Sequence, residues 1–148
     1  MHTELLNSTL SEWLEPLENL NPAAENPVEE FWQYVEKKLE LAKNHPRESR
    51  LFANEILQGA PRLQGYLHGA LKALVEREAA VLETWMAEGK IARLDSYHLI
   101  FSIWAMTQHY ADFDVQVCAV LGKGRSETRF DDAKVYLRTL IEKLLSID

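Results

Sequence analysis

Cysteine occurs once, at Cys118, which excludes an internal disulfide framework and a cysteine-rich zinc site. Glycine and proline are sparse, 6 and 5 in 148 residues, too few for a β-sandwich that turns roughly every ten residues. Positive charge is in the minority: 16 Lys and Arg stand against 23 Asp and Glu, a formal net charge of −7. No basic cluster offers the concentrated face that phosphate binding needs. No apolar run reaches the ~18 residues of a membrane span, and no basic, hydrophobic leader precedes Thr3. The expectation is a cytoplasmic protein without membrane contact.

Patterns of catalysis are missing as well. The histidines lie at 2, 45, 68, 98 and 109, with no pair at i, i+4, and no His-Glu-x-x-His or Gly-x-Ser-x-Gly occurs. Gly122-Lys123-Gly124 lacks both the preceding strand and the Lys-Ser/Thr pair of a phosphate loop. His109 and Asp112 fall three apart on one helical face, where a shared metal and a purely structural pair are both open. The pairs Glu29-Glu30 and Asp131-Asp132 fall at helix starts, where the dipole accounts for them. No enzyme, metal or cofactor is expected.

What is present is helical periodicity. Leu5, Leu6, Leu10, Trp13, Leu14 and Leu17 share one face of a first helix that Pro16 kinks or ends. Asn26-Pro27 opens a second, with Asn26 as N-cap and Pro27 at the first helical position, and its apolar stripe runs from Val28 to Ala42 before His45-Pro46 stops it. A shorter helix is expected from about Arg47 to Gln58, with Leu51, Phe52 and Ile56 inward. A long helix follows from Pro61 to a C′ residue at Gly89; Gly65 and Gly69 within it mark either a close helix contact or tolerated glycines. Asp95 caps the next helix, apolar nearly all round from Leu99 to Met106, so it must be covered on more than one side. A short segment from Val115 to Leu121 ends at Gly122, with Cys118 as a small core residue. Ser126 then caps a last helix whose stripe is Phe130, Ala133, Leu137, Leu140, Ile141, Leu144 and Leu145. Val135, Tyr136 and Ile147 lie off that stripe, an extra flank of the kind a helix-pair interface shows. The fold class is all-α, about six or seven helices in one domain spanning 1–148.

One pair of residues admits a functional reading. Trp104 and Gln108 lie four apart, one turn from each other. An indole plate beside an amide with one donor edge and one acceptor edge suits a planar heterocycle. The same residues also fit a plain core tryptophan with a satisfied polar neighbour, and Trp13 carries the same ambiguity.

The run Leu99-Ile100-Phe101-Ser102-Ile103-Trp104-Ala105-Met106-Thr107-Gln108-His109-Tyr110-Ala111-Asp112-Phe113 resembles the regulatory domain of TetR-family transcriptional regulators, in particular the RutR (YcdC-like) branch, regulators of pyrimidine use. Trp13-Leu14-Glu15-Pro16-Leu17, Ser49-Arg50-Leu51-Phe52, Gly59-Ala60-Pro61 and Leu71-Lys72-Ala73-Leu74 agree in order and spacing. The resemblance implies a TetR-like C-terminal bundle that binds a small effector and forms a homodimer through its last two long helices, acting with a DNA-reading helix-turn-helix module as a repressor. It implies uracil or thymine held by Trp13, Trp104 and Gln108, with Phe52 and Asn54 in the same pocket. It also implies a dimer interface on Leu99, Ile103, Tyr110, Leu137, Leu140, Ile141 and Leu144.

Two departures from the pattern bear on the effector. Asn54 stands where the relatives carry methionine and adds a hydrogen-bonding group; Met106 stands where they carry serine and reduces pocket volume. The helix-turn-helix module is expected to occupy about fifty residues ahead of the first helix, yet this sequence enters that helix directly after Met1-His2-Thr3. The 148 residues on their own are therefore expected not to bind operator DNA with sequence specificity. A ligand-free dimerisation module, with its tryptophans as core, is the other function the residues fit.

Overall fold

The computed structural model describes Leu17 and residues 20–147. The first predicted helix, with Trp13 and the Pro16 kink, lies outside the described residues except for Leu17, which is buried. Among the described residues there are six helices and no strand: α1 Pro27–Asn44, α2 Pro46–Leu57, α3 Lys72–Ala87, α4 Ser96–Asp112, α5 Asp114–Ser126 and α6 Arg129–Leu145. None of them is long and apolar enough to cross a membrane.

Local signals explain most boundaries. Asn26 Oδ1 accepts from the Glu29 amide at 3.2 Å, and Pro27 occupies the first turn, where its missing N–H costs nothing. Asp95 Oδ1 accepts from the His98 amide at 2.9 Å. Gly89 takes a positive φ of 72° just past α3, as a C′ residue should. Pro46 both ends α1 and opens α2.

Four expectations need correction. The run beginning near Pro61 is not one α-helix: a helical turn Gln64–Tyr66 and a π-helical turn Leu67–Leu71 precede α3. A β-carbon built on Gly65 or Gly69 meets nothing within 4 Å, so the glycines mark no close helix contact. The last helix starts at Arg129 rather than at Ser126: the Ser126 hydroxyl donates to the Lys123 carbonyl at 3.2 Å instead of accepting from an amide, and Thr128 stands at the N-cap position. Cys118 is only half-buried, on a helix with no buried residue, and its thiol donates to Asp114 Oδ1 at 3.7 Å.

The main core gathers Phe31, Val35 and Leu39 of α1, Leu82 and Trp85 of α3, Ile100 and Ile103 of α4, and Leu137, Ile141 and Leu145 of α6. Burial of each such side chain contributes about 1.5–3 kcal/mol relative to exposure. The Trp85 indole N–H donates to the Pro22 carbonyl at 3.2 Å, so its polar edge is satisfied inside the core. Arg138 of α6 reaches Glu29 of α1 at 2.7 Å and lies over the Trp32 ring, fastening the outer seam of the α1–α6 pair. A second, smaller cluster forms around Ala60 and Leu63, with Leu51 and Phe52 packed on it. Ile56, expected to face inward, does not join it; like Leu57 it is exposed, at the rim of the candidate site.

Candidate functional site

A cavity of about 560 Å³ opens between α2, the π turn and the C-terminal half of α4. Its apolar lining comes from Phe52, Ala53, Ile56 and Leu57 of α2, Leu67 and Leu71 of the π turn, and Phe113. Polar groups are few: Arg50, Asn54, Gln108 and Asp112. That balance is typical of a small-molecule site. The π turn matters because an extra residue in the hydrogen-bond ladder re-aims neighbouring side chains, and such turns concentrate at functional sites.

Trp104 forms a wall of this cavity with its polar edge already engaged. Its indole N–H donates to the Tyr34 hydroxyl at 2.8 Å, and Tyr34 is itself 2% exposed. Burial pushes the Tyr34 phenol well above its ordinary range, against the effect of the Trp104 hydrogen bond, so it stays neutral. The ring is further braced by Phe101, with centroids 5.5 Å apart. What Trp104 offers the cavity is thus an apolar, held surface. Gln108, one turn on, is half-buried and also lines it.

The polar end is built from three helices. Ser49 of α2, buried, donates its hydroxyl to Asp112 Oδ1 at 2.6 Å. Arg50 Nη1 donates to the Ala111 carbonyl at 3.1 Å, satisfying one of the orphan acceptors at the end of α4. Lys38 of α1 is buried nearby; burial pulls its ammonium down to about 7, partly countered by the Asp112 charge. Burial likewise pushes the Asp112 carboxyl up, opposed by Ser49, Arg50, His109 and Lys38.

Phe52, Asn54, Trp104 and Gln108, all expected from sequence, line the cavity together; Trp13 lies outside the described residues. Met106 does not line it and packs against the main core instead. Sequence reasoning missed Arg50, Asp112, Leu67 and Leu71. The i, i+4 step from Gln108 to Asp112 is a usable signal, whereas the spacing to His109 points Asp112 toward a different partner. The structure sets that ring apart from the carboxylate's hydrogen bonding: His109 stacks on Phe113, with centroids 5.1 Å apart. No group of three or more His, Cys, Asp or Glu that could hold a metal occurs among the described residues.

A second cavity, about 450 Å³, lies between α4, α5 and α6 and is lined in part by Tyr110, Val117, Val120, Leu121, Ala133 and Tyr136. Of its lining residues, Val120 and Tyr136 are 81% and 61% exposed, and Val115 of α5 and Val135 of α6 are 87% and 70% exposed. The expected interface residues divide. Leu99, Ile103, Leu137 and Ile141 are buried within the chain, so they have no surface left for a partner. Tyr110, Leu140 and Leu144 are half-buried against the core.

An all-α chain with a mostly apolar cavity, walled by an anchored tryptophan and fitted with a few polar groups, has the make-up of a helical ligand-binding domain. Comparison with known proteins makes the class specific. The chain belongs to the TetR-type family described as YcdC-like protein, C-terminal region, whose profile matches residues 6–148. It is 43% identical over 122 residues to the HTH-type transcriptional regulator RutR of Escherichia coli strain K12, covering 82% of this chain and 57% of that protein. The RutR of Shigella flexneri matches to the same extent. The chain therefore spans little more than half the length of these curated relatives, which are named as transcriptional regulators and not as enzymes.

Proposed function

We propose that this chain is the effector-binding and dimerisation part of a TetR-type transcriptional regulator, and that its 560 Å³ cavity takes a small planar ligand of the pyrimidine class, such as uracil. In a full-length parent, the effector would control DNA binding by an N-terminal helix-turn-helix module. The observation that carries the reading is the convergence of Trp104, Gln108, Phe52 and Asn54 on one cavity. Those residues come from helices far apart in sequence, and a plain core tryptophan would not need an amide and a cavity beside it. The exposed apolar surface around Val120 and Tyr136 supports a homodimer built on the C-terminal helices.

A thermal-shift screen of uracil, thymine and other planar heterocycles tests the reading. A ligand at 100 times its Kd adds about 2.7 kcal/mol of stability, which for a chain of this size is a rise of roughly 5–10 °C. Quenching of tryptophan fluorescence by the same ligand would accompany it. A flat response across the whole panel overturns the effector site and leaves the ligand-free dimerisation module.

A further inference from the structure

Trp104, Gln108 and Asp112 stand at i, i+4 and i+8 on α4, and all three line the larger cavity. Successive members of such a row are about 6 Å apart along the helix axis, the scale of one six-membered ring with its substituents. The row offers three different chemistries in order: an apolar plate, an amide that both donates and accepts, and a carboxylate that only accepts when ionised. Asp112 is the unexpected member. It sits in the last turn of α4, where the helix dipole disfavours negative charge, and burial penalises its charge further. Yet a buried serine from another helix holds one of its oxygens at 2.6 Å, and Arg50 and Lys38 supply positive charge from α2 and α1. A carboxylate has about four acceptor sites, and Ser49 takes one.

Resting on the reading of this cavity as an effector site, we infer that Asp112 is a specificity-determining residue that accepts a ring N–H of the ligand, while Gln108 reads the amide-like edge across the ring. Ser49 is the positioning residue that fixes the carboxylate. The ligand class that follows is a neutral cyclic imide or ureide with an unsubstituted ring N–H. Ring carboxylates are excluded by like charge, and a ring alkylated at that nitrogen is excluded by loss of the donor.

The test uses uracil, N1-methyluracil and N3-methyluracil, titrated calorimetrically into the full chain and into Asp112→Asn and Ser49→Ala. Asparagine keeps an oxygen for Ser49 but can present an N–H in place of the second oxygen. The unmodified chain should bind uracil and reject one of the two methyl derivatives by tenfold or more. Asp112→Asn should weaken uracil binding at least tenfold and bind that methyl derivative about as well as uracil. Ser49→Ala should narrow the same discrimination, and it carries the test if Asp112→Asn does not fold. Uracil bound equally by Asp112→Asn, or weakened binding with the methyl discrimination intact, overturns the role of Asp112 and leaves the effector site standing. No binding by the unmodified chain, to uracil or to any heterocycle in the screen above, removes the site and this inference together.

Discussion

Tyr34 and Trp104 illustrate how one hydrogen bond can tie a cavity wall to the core. Tyr34→Phe removes the acceptor of the Trp104 indole N–H while keeping the ring that packs edge-on against Phe31. A buried donor left unsatisfied costs about 1–3 kcal/mol, so the unfolding free energy of Tyr34→Phe should fall by that amount, read as a lower denaturant midpoint at unchanged m; an unchanged midpoint would mean that the bond contributes nothing. Lys38 gives a pH-dependent counterpart. Its folded pKa lies at about 7, whereas an unfolded lysine titrates near 10.4. Between those values the unfolded chain holds a proton that the folded chain has released, so stability rises with pH from about 7 to about 10. Lys38→Met should flatten that rise, which is on the order of a few kcal/mol, in denaturation curves compared at pH 6, 8 and 10. A slope identical to that of the unmodified chain would refute the assignment. Single residues were only partly legible in sequence. Trp104 and Gln108 could be paired because their relation is local to one helix. Asp112 could not be assigned, because the Ser49 that holds it lies 63 positions away.

Helices as units were more legible, because caps and apolar stripes are local. Asn26, Asp95 and Gly89 mark three termini where expected. The π turn at Leu67–Leu71 escaped because an extra residue in the hydrogen-bond ladder leaves the pattern of apolar and polar residues nearly unchanged. Ser126 misled for another reason: a hydroxyl can donate backwards to a carbonyl as well as accept from the amides ahead. The break expected at Gly122 is present, and its geometry makes a sharp prediction. Gly122 has φ 81° and ψ 173° within α5, a region essentially confined to glycine. Gly122→Ala should therefore cost about 1–3 kcal/mol, although its β-carbon would meet nothing within 4 Å. Gly124 is helical and equally open, so Gly124→Ala should instead stabilise by up to about 1 kcal/mol. Chemical denaturation of the two variants side by side decides the matter: equal effects would show that backbone conformation is not what Gly122 supplies.

At the scale of the molecule, periodicity identified α4 and α6 as carrying more apolar surface than one contact needs, but it did not say which surface the chain itself would cover. Packing decides that: Leu99, Ile103, Leu137 and Ile141 face inward against α1 and α3, and the unspent surface is the flank carrying Val135 and Tyr136, continued by Val115 and Val120 of α5. Stable association needs about 1,200–2,000 Å² of buried surface with an apolar centre, and two of these residues, Val120 and Tyr136, line the cavity between α4, α5 and α6. If this flank is the homodimer interface, a charge placed there opposes association without disturbing the fold, since each position is more than half exposed in the single chain. Val120→Glu and Tyr136→Glu should each keep the unmodified helical circular dichroism yet elute at the mass of one chain in light-scattering chromatography, where the proposed dimer of the unmodified protein would elute at twice that mass. Leu137→Glu, by contrast, places a charge at a site 1% exposed and should unfold the chain outright, because an unpaired buried carboxylate costs far more than the marginal stability of a domain this size. Dimers surviving both surface substitutions would move the interface elsewhere. A folded, monomeric Leu137→Glu would mean that the stripe read from sequence, and not the flank exposed by packing, faces the partner.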